Sequence, residues 1–140
     1  MILVDTGPLV AGSDTDDRYH QVCKELLGAA TEELLVPATV SAEVCYMIER
    51  RAGSKAEATF LRLFSVGNLV PVDVTIADYE RMAELVELYA DWPLGRTDAS
   101  VIAIAERLGV TKVATLDRRH FGPIQPRQIE GFTLLPETLQ

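Results

Sequence analysis

The chain has 140 residues, of which 48% are hydrophobic and 24% charged, and its formal net charge is −8. This length and composition predict one folded domain over 1–140 that needs no disulfide or metal staple, and they exclude a disordered chain. The acidic balance excludes a protein that holds nucleic acid by broad electrostatic attraction, since such proteins are usually basic.

Ile2-Leu3-Val4 is a short β run, stopped by Asp5-Thr6-Gly7-Pro8. Pro8 suits the first turn of a following helix, where its missing N–H costs nothing. The acidic stretch Asp14-Thr15-Asp16-Asp17 predicts a capped helix near 17–30. Leu34-Leu35-Val36 with Pro37 reads as a second strand. Thr39 opens a helix through Arg51, and Gly53 stops it. Ser54 with Glu57 fits a capping box for a helix to about Val66. Leu69 to Val74 reads as a third strand, and Thr75 with Asp78 as another box-like helix start. Ile76, Tyr79, Met82, Ala83, Val86 and Tyr89 then recur at helical spacing. After the loop 91–96, Thr97 can cap a helix to Leu108, ended by Gly109. Val110 to Leu116 and Phe132 to Leu135 read as the last two strands.

Two cysteines, Cys23 and Cys45, fall in helical, apolar-flanked segments without a Cys-x-x-Cys, so reduced, buried thiols are expected. The N-terminus lacks the basic region of a signal peptide, and no apolar run approaches the ~18 residues of a membrane span. A soluble, cytoplasmic protein without membrane contact is the expectation.

Continuous apolar strands separated by helices predict an α/β fold with a parallel sheet covered on both faces. Ligands in such sheets bind outside the carboxyl ends of the strands. Asp5 follows the first strand and Asp117 follows the strand 110–116. Glu43 lies in the first turns of the helix after the second strand, and Asp98 opens the helix after the 91–96 loop. Four carboxylates can therefore converge on one rim. Each also has a plainer reading as a helix cap or dipole partner. For Asp5 that reading is strained, because burying an unpaired carboxylate at the end of a central strand is costly. Clustered acids need cations to stay ionised, and oxygen ligands without His or Cys favour Mg²⁺ or Mn²⁺. Spacing alone leaves the choice between caps and a metal site open.

Ile2-Leu3-Val4-Asp5-Thr6, Pro37 with Ser41-Ala42-Glu43-Val44, Thr97-Asp98-Ala99-Ser100, and Val113-Ala114-Thr115-Leu116-Asp117 before Phe121 resemble the PIN-domain family, in order along the whole chain. Within that family the chain resembles the VapC-type toxins of bacterial toxin–antitoxin pairs. The resemblance implies a three-layer α/β/α sandwich with a mostly parallel sheet. It implies cleavage of single-stranded RNA by water activated by one or two Mg²⁺ or Mn²⁺ ions, leaving 5′-phosphate and 3′-hydroxyl ends. It also implies homodimers held by a cognate antitoxin. The family's acidic quartet maps onto Asp5, Glu43, Asp98 and Asp117 as catalytic and metal-binding residues. Thr6 and Thr115 match polar positions that hydrogen-bond carboxylates or waters. Gly7 stands where the family often has Ser.

Arg96, Arg118 and Arg119 adjoin the expected site and are candidate RNA contacts. Arg50, Arg51, Lys55 and Arg62 could contact RNA phosphates too, but as a charge run on helices they read first as a solvated face. His20 and His120 lack metal-ligand spacing and read as surface or packing residues. Trp92 with Pro93 shapes the loop before Asp98. Two other functions remain to be weighed. A non-catalytic PIN-like module binding RNA or protein would be marked by a missing acid, and all four are present. A small metal-dependent phosphohydrolase needs a second acid two residues after the first, where Gly7 stands. Two bound divalent ions would halve the formal charge, so the acidity is compatible with a nuclease that grips RNA locally.

Overall fold

A computed structural model describes residues 1–92 and 94–139. Among these residues five short strands form one sheet: β1 (Ile2–Val4), β2 (Leu34–Pro37), β3 (Val70–Val72), β4 (Lys112–Ala114) and β5 (Thr133–Leu135). Their order is β3-β2-β1-β4-β5, and each pairing is parallel. Pro71 sits in β3 at the edge, where a missing backbone donor breaks no ladder. The helices are α1 (Thr6–Ser13), α2 (His20–Ala29), α3 (Ala38–Ala52), α4 (Ser54–Ser65), α5 (Ile76–Leu88), α6 (Arg96–Leu108) and α7 (Arg118–Phe121). The chain winds outward from β1 to β3, then returns to β4 and winds the other way. With right-handed crossovers, that reversal puts the two sets of helices on opposite faces, the layering expected.

Leu3, Val4, Val36 and Val113 are fully enclosed in the sheet. Against them, α6 is buried without a break from Ala99 to Glu106, which explains the uninterrupted run of small and apolar residues from Ala99 to Ala105. Gly109 ends α6 in the left-handed conformation at φ 68°, and its N–H closes on the Ala105 carbonyl.

Several local expectations change. The helix expected near 17–30 begins only at His20, and residues 6–13 form a separate helix. The acidic stretch builds a turn instead: Asp14 accepts the Asp16 N–H at 3.0 Å and Asp17 accepts the Tyr19 N–H at 2.8 Å. Both carboxylates also reach Arg51 of α3, at 3.1 and 3.6 Å. The Thr75–Asp78 capping box forms with both of its bonds. The Ser54–Glu57 box does not, because Gly53 takes the cap position at φ 86°, a geometry costly for any residue with a Cβ. Thr97 lies inside the first turn of α6, with Gly95 at the cap, so its hydroxyl is free for other partners. Both cysteines are free thiols, but only Cys23 is fully buried. Among the described residues, no helix is long and apolar enough to cross a membrane.

Candidate active site

β1 and β4 are neighbours at the point where the winding of the sheet reverses, and a crevice opens outside their carboxyl ends. The register pairs Val4 with Ala114, so Asp5 and Thr115 emerge side by side. The Asp5 N–H still donates to the Ala114 carbonyl at 2.9 Å, which fixes the residue to the sheet edge. Asp5 occupies the cap position of α1, yet its side chain makes no capping bond. Its Oδ2 instead accepts the Thr115 hydroxyl at 2.8 Å, and the same hydroxyl accepts the Asp117 N–H at 2.9 Å. One buried threonine therefore ties two of the acids together.

Asp98 lies in the first turn of α6. Glu43 reaches across from α3, where its Oε2 accepts the Thr97 hydroxyl at 2.8 Å. The Thr39 and Ser100 hydroxyls, 2.6 Å apart, join the same two helices a second time. Asp117 caps the short α7, accepting the His120 N–H at 3.4 Å. All four acids, with Thr6, Gly7 and Arg96, line one cavity of about 540 Å³. A larger cavity of about 690 Å³ opens at the opposite end of the strands, near Leu34 and Leu69. Of its two acids, Glu32 is already paired with Lys112 and the chain's amino group and Glu33 is exposed, so the larger cavity gathers no set of carboxylates comparable to that of the smaller one.

The electrostatics set this cavity apart. Burial pushes the Asp5 carboxyl above its ordinary value, against the Thr6 backbone N–H and the Thr115 hydroxyl that pull it down, and Asp117 and Glu43 push it further up. Asp98 is raised to about 7, first by burial and then by the charges of Asp5 and Asp117. Its place at a helix N-terminus, which favours a carboxylate, does not offset that crowding. The Thr6 hydroxyl is also buried without a partner. A set of crowded carboxylate oxygens with an unused hydroxyl beside them suits a hard divalent cation.

A PIN-domain family model matches residues 2–122. The chain belongs to the PIN-domain family. It is 31% identical over 135 residues to the protein named Ribonuclease VapC26 of Mycobacterium tuberculosis, covering 96% of this chain and all of that one. Among solved structures it is similar to M. tuberculosis VapC20, described as a toxin that cleaves the sarcin–ricin loop, with TM-score 0.76 and 20% identity over 81% of this chain and 87% of that one. It is also similar to a chain of the VapBC2 complex of Rickettsia felis, solved with a promoter DNA fragment, with TM-score 0.68 and 18% identity over 95% of this chain and all of that one. A third match is a chain of FitAcB of Neisseria gonorrhoeae, with TM-score 0.61 and 18% identity over 87% of this chain and 91% of that one. PIN nucleases are metal-dependent, and the acidic cluster of this PIN domain has the chemistry to hold such an ion.

This PIN domain also brings His120 into the cluster, which its sequence context did not suggest. The imidazole Nδ1 lies 2.5 Å from Asp117 Oδ2 and 4.0 Å from Asp98 Oδ2. The donor set is thus not oxygen alone. The usable signal was the spacing Asp117-x-x-His120, which in a helical turn puts the two side chains on one face. Trp92 stands edge-on to His120 with ring centroids 6.2 Å apart, so the loop before Asp98 does border the site. Pro93 lies outside the described residues. His20 is a packing residue, its Nδ1 2.8 Å from the Ala11 carbonyl. Of the arginines, exposed Arg96 lines the cavity, whereas Arg118 and Arg119 do not. Arg118 turns toward the C-terminal segment, donating to the Glu137 carbonyl at 3.5 Å, and its Nε and Nη2 are enclosed without partners. Arg119 is exposed.

Proposed function

We propose that this PIN domain is a metal-dependent endoribonuclease that cleaves single-stranded regions of RNA and acts as the toxin of a toxin–antitoxin pair. The observation that carries the reading is the meeting of Asp5, Glu43, Asp98 and Asp117 in one cavity at the switch point of the sheet, with Asp98 raised to about 7 by burial and by the charges of Asp5 and Asp117. The names of its relatives, a ribonuclease and a loop-cleaving toxin, support the same substrate class. The toxin–antitoxin complexes among its structural neighbours support a cognate antitoxin as partner. We place the whole of 1–140 in a single cytoplasmic domain that works as a homodimer.

Asp5, Asp98 and Asp117 would hold one or two Mg²⁺ or Mn²⁺ ions, whose chemistry is to acidify water and neutralise the phosphoryl oxygens. Thr115 keeps Asp5 in place at the strand edge and couples its position to that of Asp117. Glu43, oriented by Thr97, faces the same cavity and serves to orient the attacking water and take its proton. Arg96 meets a phosphate of the strand. The products would carry 5′-phosphate and 3′-hydroxyl ends.

The test is a Mg²⁺-titrated cleavage assay on pooled structured RNA, read by end-group chemistry. Metal-dependent fragments with 5′-phosphates are expected. Release of phosphate from small esters would assign a phosphohydrolase instead. Metal binding without cleavage of any RNA would assign a non-catalytic binding module.

A further inference from the structure

A second cavity, of about 470 Å³, opens beside the acids and is lined by Thr39, Ala42, Glu43, Tyr46, Arg96 and Thr97. Glu43, Arg96 and Thr97 line the acidic cavity as well, so the two are compartments of one groove. Its volume lies in the ~300–1,000 Å³ range of small-ligand sites. Thr39, Ala42, Glu43 and Tyr46 fall at i, i+3, i+4 and i+7 on α3 and so form one wall. The first turn of α6 forms the other, and the Thr39–Ser100 and Thr97–Glu43 hydrogen bonds hold the walls at a fixed separation.

Tyr46 is the feature that packing does not explain. It is 61% exposed, although Val44 and Ile48 on the same helix are in the core. Arg50, one turn later, donates to the Tyr46 hydroxyl at 2.9 Å and sets its guanidinium 5.5 Å from the ring centroid. The ring is therefore held in place by a cation and still presented to solvent. Arg96 adds a second cation on the facing wall, in a protein whose net charge is −8. An aromatic ring oriented by one arginine, with a second arginine lining the same compartment beside the acids, matches how single-stranded nucleic acid is held: bases stack on rings and phosphates meet the cations.

We propose that this compartment is a nucleobase subsite, in which a base of the single-stranded RNA next to the cut stacks on Tyr46 while Arg96 meets the backbone phosphate between the two compartments. The subsite rests on the nuclease reading above. It gives an acidic protein a local, base-level hold on its substrate, in place of a broad basic surface.

The test uses short single-stranded RNAs of mixed sequence carrying 2-aminopurine at successive positions, bound to Asp5→Asn protein so that binding is read without cleavage. One position is expected to show fluorescence quenching, and Tyr46→Ala abolishes that quenching and weakens binding about 10-fold, as for loss of one stacked base. In otherwise unaltered protein, Tyr46→Ala raises KM with most of kcat retained. Tyr46→Phe, which keeps the ring, restores both binding and quenching. Unchanged affinity and quenching in Tyr46→Ala, in protein that still cleaves RNA, overturn the subsite and leave the nuclease reading intact. So does a result in which Tyr46→Ala alters only the mass of the homodimer or of an antitoxin complex. Failure of the unaltered protein to bind or cleave any RNA overturns both.

Discussion

Asp98→Asn makes the metal-free protein more stable at about pH 8 while removing a proposed ligand. Asp98 has an ordinary value of 3.8, which the fold raises to about 7. A folded-state value above the unfolded one stabilises fully at acidic pH, and that stabilisation is lost as pH rises through about 7. At 1.36 kcal/mol per pH unit the whole effect has a ceiling of ~4 kcal/mol. The Asp98 side chain keeps 17% of its surface in water, so screening reduces the working figure to ~2 kcal/mol. Roughly 1 kcal/mol of it falls between about pH 5 and pH 8. Urea denaturation in the presence of a chelator measures it. Unaltered protein should lose that stability across the interval, and Asp98→Asn should lose less and exceed it by ~2 kcal/mol at the upper end. Added Mg²⁺ should close the gap by stabilising only the protein that keeps its carboxylate. Parallel pH curves for the two proteins, or a variant less stable at about pH 8, would refute the claim that burial and crowding of its carboxylates strain this site.

Thr115→Val removes the hydroxyl that joins Asp5 to the Asp117 backbone, and should lower RNA cleavage ~10–100-fold at a stability cost of ~1 kcal/mol, read by kinetics and urea denaturation. His120→Gln should weaken Mn²⁺ binding about 10-fold in calorimetric titration, since it removes the imidazole beside Asp98 and Asp117. Arg81 grips buried Glu106 with two bonds of 2.8 and 2.9 Å, so Arg81→Ala should cost ~3 kcal/mol by leaving a buried carboxylate short of its partner, and Arg81→Ala/Glu106→Ala should recover part of it.

Legibility in the sequence followed how local each cause was. The strands were readable because Ile2-Leu3-Val4 and Leu34-Leu35-Val36 are continuous apolar runs, and the Thr75–Asp78 box because both partners lie within one turn. Asp5 was readable as more than a cap because its strand had to be central, and the structure leaves its capping bond unmade. The order of strands was not readable, since it depends on which distant segments pair; only that order brings Asp117 beside Asp5. The Ser54 box failed because Gly53 adopts a conformation that serves as the cap by itself. Arg118 looked like an RNA contact by adjacency to Asp117, but its direction is set by Glu137, nineteen residues away. His120 was passed over because the turn that folds it onto Asp117 is only four residues long, too short to show a periodic pattern. Tyr46 sits on a helix whose apolar pattern is mixed, so the sequence did not separate its exposed ring from the core positions beside it.

The central claim is that Asp5 anchors a metal-dependent RNA-cleaving site. Its most direct test is the rate of Mg²⁺-dependent cleavage of pooled RNA by unaltered protein and by Asp5→Asn, each shown to be folded by its denaturation curve. The site described here predicts metal-dependent cleavage by the first and essentially none by the second, since the near-isosteric substitution removes a proposed carboxylate ligand while keeping the side chain's shape. Full activity in folded Asp5→Asn would contradict it.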